Sequence, residues 1–259
     1  MFFNELELLE LRCEELFGIV DCHFLIEATA THHGTEKPLY YTENESLFKK
    51  YPIKPIVLEL PKRGYEDSWA DEGWQRHEGT AKAIQGLNDT DIMMISDMDE
   101  IPRRSKVLEV LEQKVVFQMG TYTYWLDFQS PEIWSGTARM TVGEMKELGG
   151  GNVAYHKRFG FPKINDGGWH FSYQGGLEKI QEKLKGFAHT EYSGDFFTDT
   201  ERIAQKMING SDLFDRNKEG FKLVSMENHP QYLLENIDKF KYMCFSTAWE
   251  AAYKQLMPE

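Results

Sequence analysis

Apolar residues fall into two rhythms along this chain, and the switches between them mark out its elements. Leu6, Leu9, Cys13 and Leu16 recur at helical spacing, and Asn4 with Glu7 three residues later has a capping-box pattern, predicting a helix that starts at Asn4. Over residues 19–28 the period falls to two, with Val20, Cys22, Phe24 and Ile26 on one face, which predicts a strand. A polar stretch with His32-His33-Gly34 and Lys37-Pro38 leads to a second short strand at 55–60. A helix over 71–87 follows, with Trp74, Ala81, Ile84 and Leu87 near one face, and then a strand at 91–96. Strands alternating with helices predict an α/β chain with a mostly parallel central sheet flanked by helices. Ligands of such sheets bind beyond the carboxyl ends of the strands, where Glu27 and Asp97 both fall. In the second half, 115–126 alternates loosely, Trp134-Ser135-Gly136 and Gly149-Gly150-Gly151 read as loops, and 167–173 reads as a strand behind a glycine pair. Helices are predicted over 177–187, 200–208 and 230–240. No repeat or linker interrupts residues 1–259, so one domain is expected.

The third strand, Ile92-Met93-Met94-Ile95, runs into Ser96-Asp97-Met98-Asp99-Glu100-Ile101-Pro102. Three carboxylates crowded beside a buried strand repel one another unless a positive partner is present, and a hard divalent cation prefers such oxygen ligands. On an extended segment Asp97 and Asp99 point to the same side and would share one ion. Glu100 is either a further ligand or a cap for the helix after Ser105. A third ligand from elsewhere would be His170 or His189, while His32 and His33 read as a solvated turn. Arg76, Arg103 and Arg104 flank the acidic turn as candidate phosphate partners, with Lys157-Arg158 a second basic pair. Glu191, Asp195, Asp166 and Asp212 are candidate general bases, which the sequence does not rank.

Composition narrows the chemistry further. A net charge of −13 over 259 residues excludes a general nucleic-acid binder, and it repels an anionic nucleotide unless a cation and a few local basic residues reverse the field. Cys13, Cys22 and Cys244 lack metal-type spacing and read as buried free thiols. The N-terminus lacks a signal-peptide pattern and no segment has the apolar length of a membrane span, so a soluble, cytoplasmic chain is expected. The sequons at Asn44, Asn88 and Asn209 are then chance matches.

Taken in order, several segments resemble glycosyltransferase family 17. They are Phe2-Phe3-Asn4-Glu5-Leu6-Glu7-Leu8-Leu9-Glu10-Leu11-Arg12, the strand ending at Glu27 with Lys37-Pro38-Leu39, and Ile95 to Pro102. Gly168-Trp169-His170-Phe171-Ser172-Tyr173 and Gln231-Tyr232-Leu233-Leu234-Glu235-Asn236 complete the set. The resemblance implies a GT-A-like fold with a nucleotide-sugar-binding half over about 1–104 and an acceptor-side half over 105–259. It implies an inverting transferase taking a sugar, N-acetylglucosamine foremost, from a UDP-sugar to a glycan or other hydroxyl acceptor. Mn²⁺ or Mg²⁺ would bridge the diphosphate to Asp97 and Asp99, with His170 as a third ligand. Asn4, Glu27, Arg76, Asp97 and Arg103 are the expected donor-site residues, and Glu191 and Asp195 the expected catalytic carboxylates. Two features depart from the family: the strand usually found ahead of Phe-Phe-Asn-Glu is reduced to a residue or two, and the membrane anchor of animal members is missing. Two rivals share parts of the pattern. A haloacid-dehalogenase-like phosphohydrolase also uses strand-Asp-x-Asp, and Gly194 to Asp199 mimics its second acidic motif, but Glu100 and Ile101 stand where that class wants Thr or Val. A non-catalytic glycan-binding module would leave the acidic turn purely structural.

Overall fold

The computed structural model describes residues 1–61, 67–111, 114–216 and 219–247. The first helix, α1 (Leu6–Glu15), is apolar on two sides. Leu8 and Leu11 pack with Ile101, Trp169, Phe171, Leu233 and Phe240, while Leu9 and Cys13 pack with Phe2, Leu25, Tyr41, Phe48 and Met98. Its start departs from the expected capping box. Glu5 is the N-cap, its Oε2 accepting from the Phe3 and Asn4 amides, while the Asn4 side chain donates to Glu182 at 2.6 Å. Gly18, at φ +74°, turns the chain after α1, and the Ile19 and Val20 amides bond back to Leu16. The expected strand therefore begins only at β1 (His23–Ala28).

After α2 (Tyr40–Asn44), strand β2 (Ile53–Leu58) pairs in parallel with β1, His23 opposite Ile53 and Ala28 opposite Leu58. Helix α3 (Ser68–Ala83) covers this pair and approaches closely at Gly79, where a Cβ would stand 2.5 Å from the Ile26 side chain. Strand β3 (Ile92–Ile95), the acidic turn, β4 (Glu100–Pro102) and α4 (Arg104–Glu109) follow. Phe2 bridges to Glu27, and the Met1 amino group donates to the Ser96 carbonyl at 3.3 Å, so the first two residues lie between the ends of β1 and β3.

The larger sheet corrects the mostly parallel expectation. It contains β3, β4, β5 (Val115–Thr123), β6 (Phe128–Thr141) and β7 (Lys163–Ser172), in the order β3-β6-β5-β7-β4. Only β5 and β7 run parallel in it; β3–β6, β5–β6 and β4–β7 are antiparallel. The reason is connection length. Four residues separate β5 from β6, enough for a hairpin and far short of a crossover, whereas β5 and β7 are separated by β6, α5 (Val142–Leu148) and α6 (Gly151–Lys157). The sheet also runs across residue 104, joining β3 and β4 to later strands. Trp134-Ser135-Gly136, expected as a loop, lies within β6, where a Cβ on Gly136 would stand 2.7 Å from the Met119 sulfur.

Helix α5 has a complete capping box between Thr141 and Glu144 and ends on Gly149 in the left-handed region. Helices α7 (Leu177–Gly186) and α9 (Thr200–Asn209) then close over Tyr124, with Ile180, Leu184, Ile203 and Met207 forming the apolar contact, and α8 (Asp195–Thr198) packs against both helices. Strand β8 (Lys222–Leu223) pairs with β6, and the expected last helix is broken at Asn236 into α10 (Gln231–Glu235) and α11 (Ile237–Phe240). Among the described residues, no helix is long and apolar enough to cross a membrane.

Candidate active site

The acidic turn is a true turn and not an extended segment: the Glu100 amide bonds to the Asp97 carbonyl at 3.3 Å. Asp97 and Asp99 nevertheless face the same cleft, a cavity of about 400 Å³ that His170, Trp134 and Lys183 also line. Alternation along a strand therefore plays no part in bringing the two carboxylates together.

Each carboxylate is met by a cation from a distant helix. Arg76, on α3 and almost wholly buried, reaches Asp97 Oδ1 at 2.9 Å and Glu72 at 3.0 Å, and its guanidinium lies 4.2 Å from the centre of the Tyr155 ring. Burial raises the Asp97 pKa, but the Arg76 charge, the Met1 amino group and the hydrogen bonds from Arg76 and Tyr155 together outweigh it and hold the carboxyl well below its usual range. Lys183, on α7, meets Asp99 Oδ2 at 3.0 Å and lies 3.6 Å from Glu5. The other Asp99 oxygen faces His170 Nε2 at 3.8 Å, and the His170 Nδ1 is buried with no hydrogen-bond partner.

Glu100 is the site residue that sequence reasoning left unassigned. Fully buried on β4, it accepts from Trp134 Nε1 at 2.6 Å and from the Asp97 amide at 3.2 Å, and it contacts the Tyr155 hydroxyl at 2.8 Å. Burial first, and the Asp97 charge second, push its pKa up to about 7. The Tyr155 hydroxyl is also 2.9 Å from Asp97 Oδ2. One hydroxyl carries one proton, so both contacts are hydrogen bonds only when one of the two carboxyls is protonated; with its pKa raised, Glu100 is the one that donates to Tyr155, while Tyr155 donates to Asp97. Trp134 in turn stacks on His170, with ring centres 4.8 Å apart. Arg158 is buried 3.6 Å from the Tyr155 ring centre, and its guanidinium donates to the Ser135 and Tyr155 carbonyls.

The other expected site residues spread out. Asn4 is buried and bonded to Glu182, outside the cleft lining. Glu27 is buried at the end of β1, accepting from the Tyr41 amide and lying 3.6 Å from Lys37, which does line the cleft. Arg103 points away from the cleft, stacking on Trp169 at 4.3 Å and pairing with Asp166 at 2.8 Å. Its neighbour Arg104 donates to the Phe17 carbonyl. Glu191 is exposed and reaches the cleft only through His189, whose Nδ1 lies 2.7 Å from its carboxylate. Asp195 is exposed at the start of α8 and does not line the cleft, so the 194–199 segment does not join Asp97 as a phosphohydrolase pair would require. His33 is buried and His32 bonds Gln75 at 2.8 Å, so that pair is no solvated turn. Trp134 stood in a segment read as a loop, Tyr155 in one given no element, and Lys183 carried no signal beyond its place on an amphipathic helix. Among the described residues, no group of three or more His, Cys, Asp or Glu side chains is gathered to hold a metal ion.

Comparison with known proteins bears on this cleft. Beta-1,4-mannosyl-glycoprotein 4-beta-N-acetylglucosaminyltransferases are similar to the chain: that of Rattus norvegicus is 23% identical and that of Mus musculus 24%, each alignment covering 93% of this chain and 52% of the relative. The Homo sapiens protein is 23% identical over 93% of this chain and 53% of its own length. The chain thus spans about half the length of the curated relatives it matches. No solved structure matches it. The sequence profile of glycosyltransferase family 17 matches residues 1–247, nearly the whole chain and every residue of the cleft, and the chain belongs to that family.

Proposed function

We propose that this chain is an inverting glycosyltransferase that moves N-acetylglucosamine from UDP-N-acetylglucosamine to a hydroxyl of a glycan acceptor. The observation that carries the reading is the meeting of Asp97, Asp99, His170, Lys183 and Arg158 along one cleft in a family 17 chain. In this reading residues 1–104 supply most of the donor side and 105–259 the acceptor side. The relatives' names supply the sugar, and the acceptor follows from them as a glycan.

A divalent ion, Mn²⁺ or Mg²⁺, fits Asp99 and His170 best. Carboxylate oxygen and imidazole are both competent donors, and His170 Nε2 lies 3.8 Å from Asp99 Oδ1, the oxygen that Lys183 leaves open. Asp97 adds negative charge beside that pair, its own oxygens being held by Arg76 and Tyr155. When bound, the ion supplies positive charge that offsets the charge developing on the departing diphosphate. Lys183 and Arg158 supply fixed positive charge on the cleft walls, which an acidic protein needs at the place where an anionic donor docks. The attacking hydroxyl gives its proton to a base as it bonds to the anomeric carbon, and the carbon–phosphate-oxygen bond breaks with the electron pair leaving on UDP. Glu191, expected in that role, has its place in this reading as the group orienting His189.

The test is a donor assay following UDP release and sugar transfer, with and without Mn²⁺, on wild type and Asp99→Ala. Metal-stimulated release from UDP-N-acetylglucosamine that falls by about a hundredfold in Asp99→Ala is expected. Phosphate release from simple phosphoesters, or no turnover of any UDP-sugar, would sink the reading.

A further inference from the structure

Behind the wall formed by Trp134 and His170 lies a second cavity of about 180 Å³, less than half the volume of the main cleft. Trp134, His170, Ser172 and Tyr173 line both, so occupants of the two cavities would be separated by one layer of side chains. The lining of the smaller cavity carries polar groups of both kinds. The Thr121 hydroxyl is buried without a hydrogen-bond partner on a residue only 8% exposed. Such an unmet group costs about 1–3 kcal/mol, so this position favours a ligand that supplies its partner. The Glu132 carboxylate makes no hydrogen bond or ion pair among the described residues, although its backbone amide bonds to Ser130. Asp212 and Arg216 form a two-bond pair at 3.1 Å on each arm, presenting acceptor and donor side by side.

The ligand's class follows from charge and shape. Two carboxylates against one guanidinium disfavour a phosphate, and the alternation of donors and acceptors suits neutral hydroxyls. Tyr124 and Tyr173, both on the wall, hold positive φ angles of 67° and 53°. That conformation is costly for a bulky residue, and here it places two aromatic rings around a small polar space, as the apolar face of a sugar ring requires.

We propose that this cavity is the subsite for a sugar ring of the acceptor next to the one that reacts. Its hydroxyls donate to Glu132 and Asp212 and accept from Thr121 and Arg216, while its C–H face lies on Tyr173. The proposal rests on the transferase reading for the word acceptor, but the site itself makes a separate prediction. The shared Trp134–His170 wall then stands between this ring and the donor cleft, and the reacting hydroxyl belongs to the neighbouring acceptor sugar on the cleft side.

Saturation-transfer NMR with the methyl glycosides of mannose, galactose and N-acetylglucosamine tests the site, in the presence of saturating UDP and Mn²⁺. Wild type, Thr121→Val and Glu132→Gln are compared, and UDP affinity by calorimetry checks the main cleft. Thr121→Val nearly preserves volume and removes only the unmet hydroxyl, so its melting temperature stays at or rises above the wild-type value and its UDP affinity is unchanged. At least one glycoside is expected to bind wild type at millimolar affinity and to weaken about tenfold in each variant, the worth of one neutral hydrogen bond. No glycoside binding to wild type in the presence of UDP, or binding at the wild-type level in both variants, would overturn the proposal. Glycoside binding lost in the variants of a protein that turns over no UDP-sugar would uphold the site while removing the transferase reading.

Discussion

Replacing Arg76 by Met tests the central electrostatic claim about the cleft. The guanidinium is 3% exposed and holds Asp97 at 2.9 Å and Glu72 at 3.0 Å, while Asp97 keeps about a third of its side chain, 34%, in contact with solvent. Removing one partner of a fully buried pair costs about 3–5 kcal/mol, because the remaining charge is left unpaired. Solvent access to Asp97 screens part of that, leaving about 2 kcal/mol, and the lost stacking on Tyr155 adds about 1 kcal/mol. Methionine retains the apolar stem, so packing loss is small. A destabilisation of about 3 kcal/mol is therefore expected in urea unfolding at pH 7.5, followed by tryptophan fluorescence. Arg76→Met/Asp97→Asn should recover about 1–2 kcal/mol as a coupling energy. The acid limb must change as well. The Asp97 pKa is depressed below its model-compound value of 3.8, so the pair's stabilisation is present above pH 3.8 and lost as pH falls through the folded-state value. In Arg76→Met that acid loss shrinks. A cost under about 1 kcal/mol, or strict additivity of the two substitutions, would refute this account of how the carboxylates are held.

Three further outcomes follow from single contacts. Glu100, raised from 4.5 to about 7, favours the folded state fully below pH 4.5, and that contribution is lost as pH rises towards 7. Melting of wild type should thus fall across this window by the equivalent of about 3 kcal/mol, and Glu100→Gln should flatten the fall while losing one hydrogen bond to Trp134 or Asp97; an unchanged pH profile would count against the buried acid. Gly168→Ala should cost at least about 4 kcal/mol, because at φ +148° its Cβ would stand 2.1 Å from the Ile101 carbonyl and force β4 off β7; soluble, wild-type-like melting would contradict the register. Thr141→Ala should cost about 1 kcal/mol in urea unfolding by removing the capping box of α5, and no loss would mean that helix start is held by packing alone.

Much of the local structure was legible in the chain. The apolar run at Ile92–Ile95 announced β3, the Leu177, Ile180, Leu184 spacing announced α7, and the glycine pair ahead of Trp169 marked the strand that approaches β4. The acidic turn and His170 were also legible as candidates, and they do line one cleft. Boundaries slipped where a turn outweighed the pattern, as at Gly18, and where alternation was interrupted by a packed glycine, as at Gly136.

What the sequence by itself determined is several of the elements and the chemical character of one turn, because periodicity, glycine and charge act over a few residues. Only the tertiary structure decided which cations answer the carboxylates. Arg76 comes from 21 positions before Asp97 and Lys183 from 84 positions after Asp99. It also decided that Arg103 turns to Trp169, that Glu100 is buried under Trp134 and Tyr155, and that the larger sheet is mainly antiparallel. Those outcomes depend on which strands pair across the sheet, a choice set by hairpin length and core packing between segments far apart in the chain, where no local pattern records the partner.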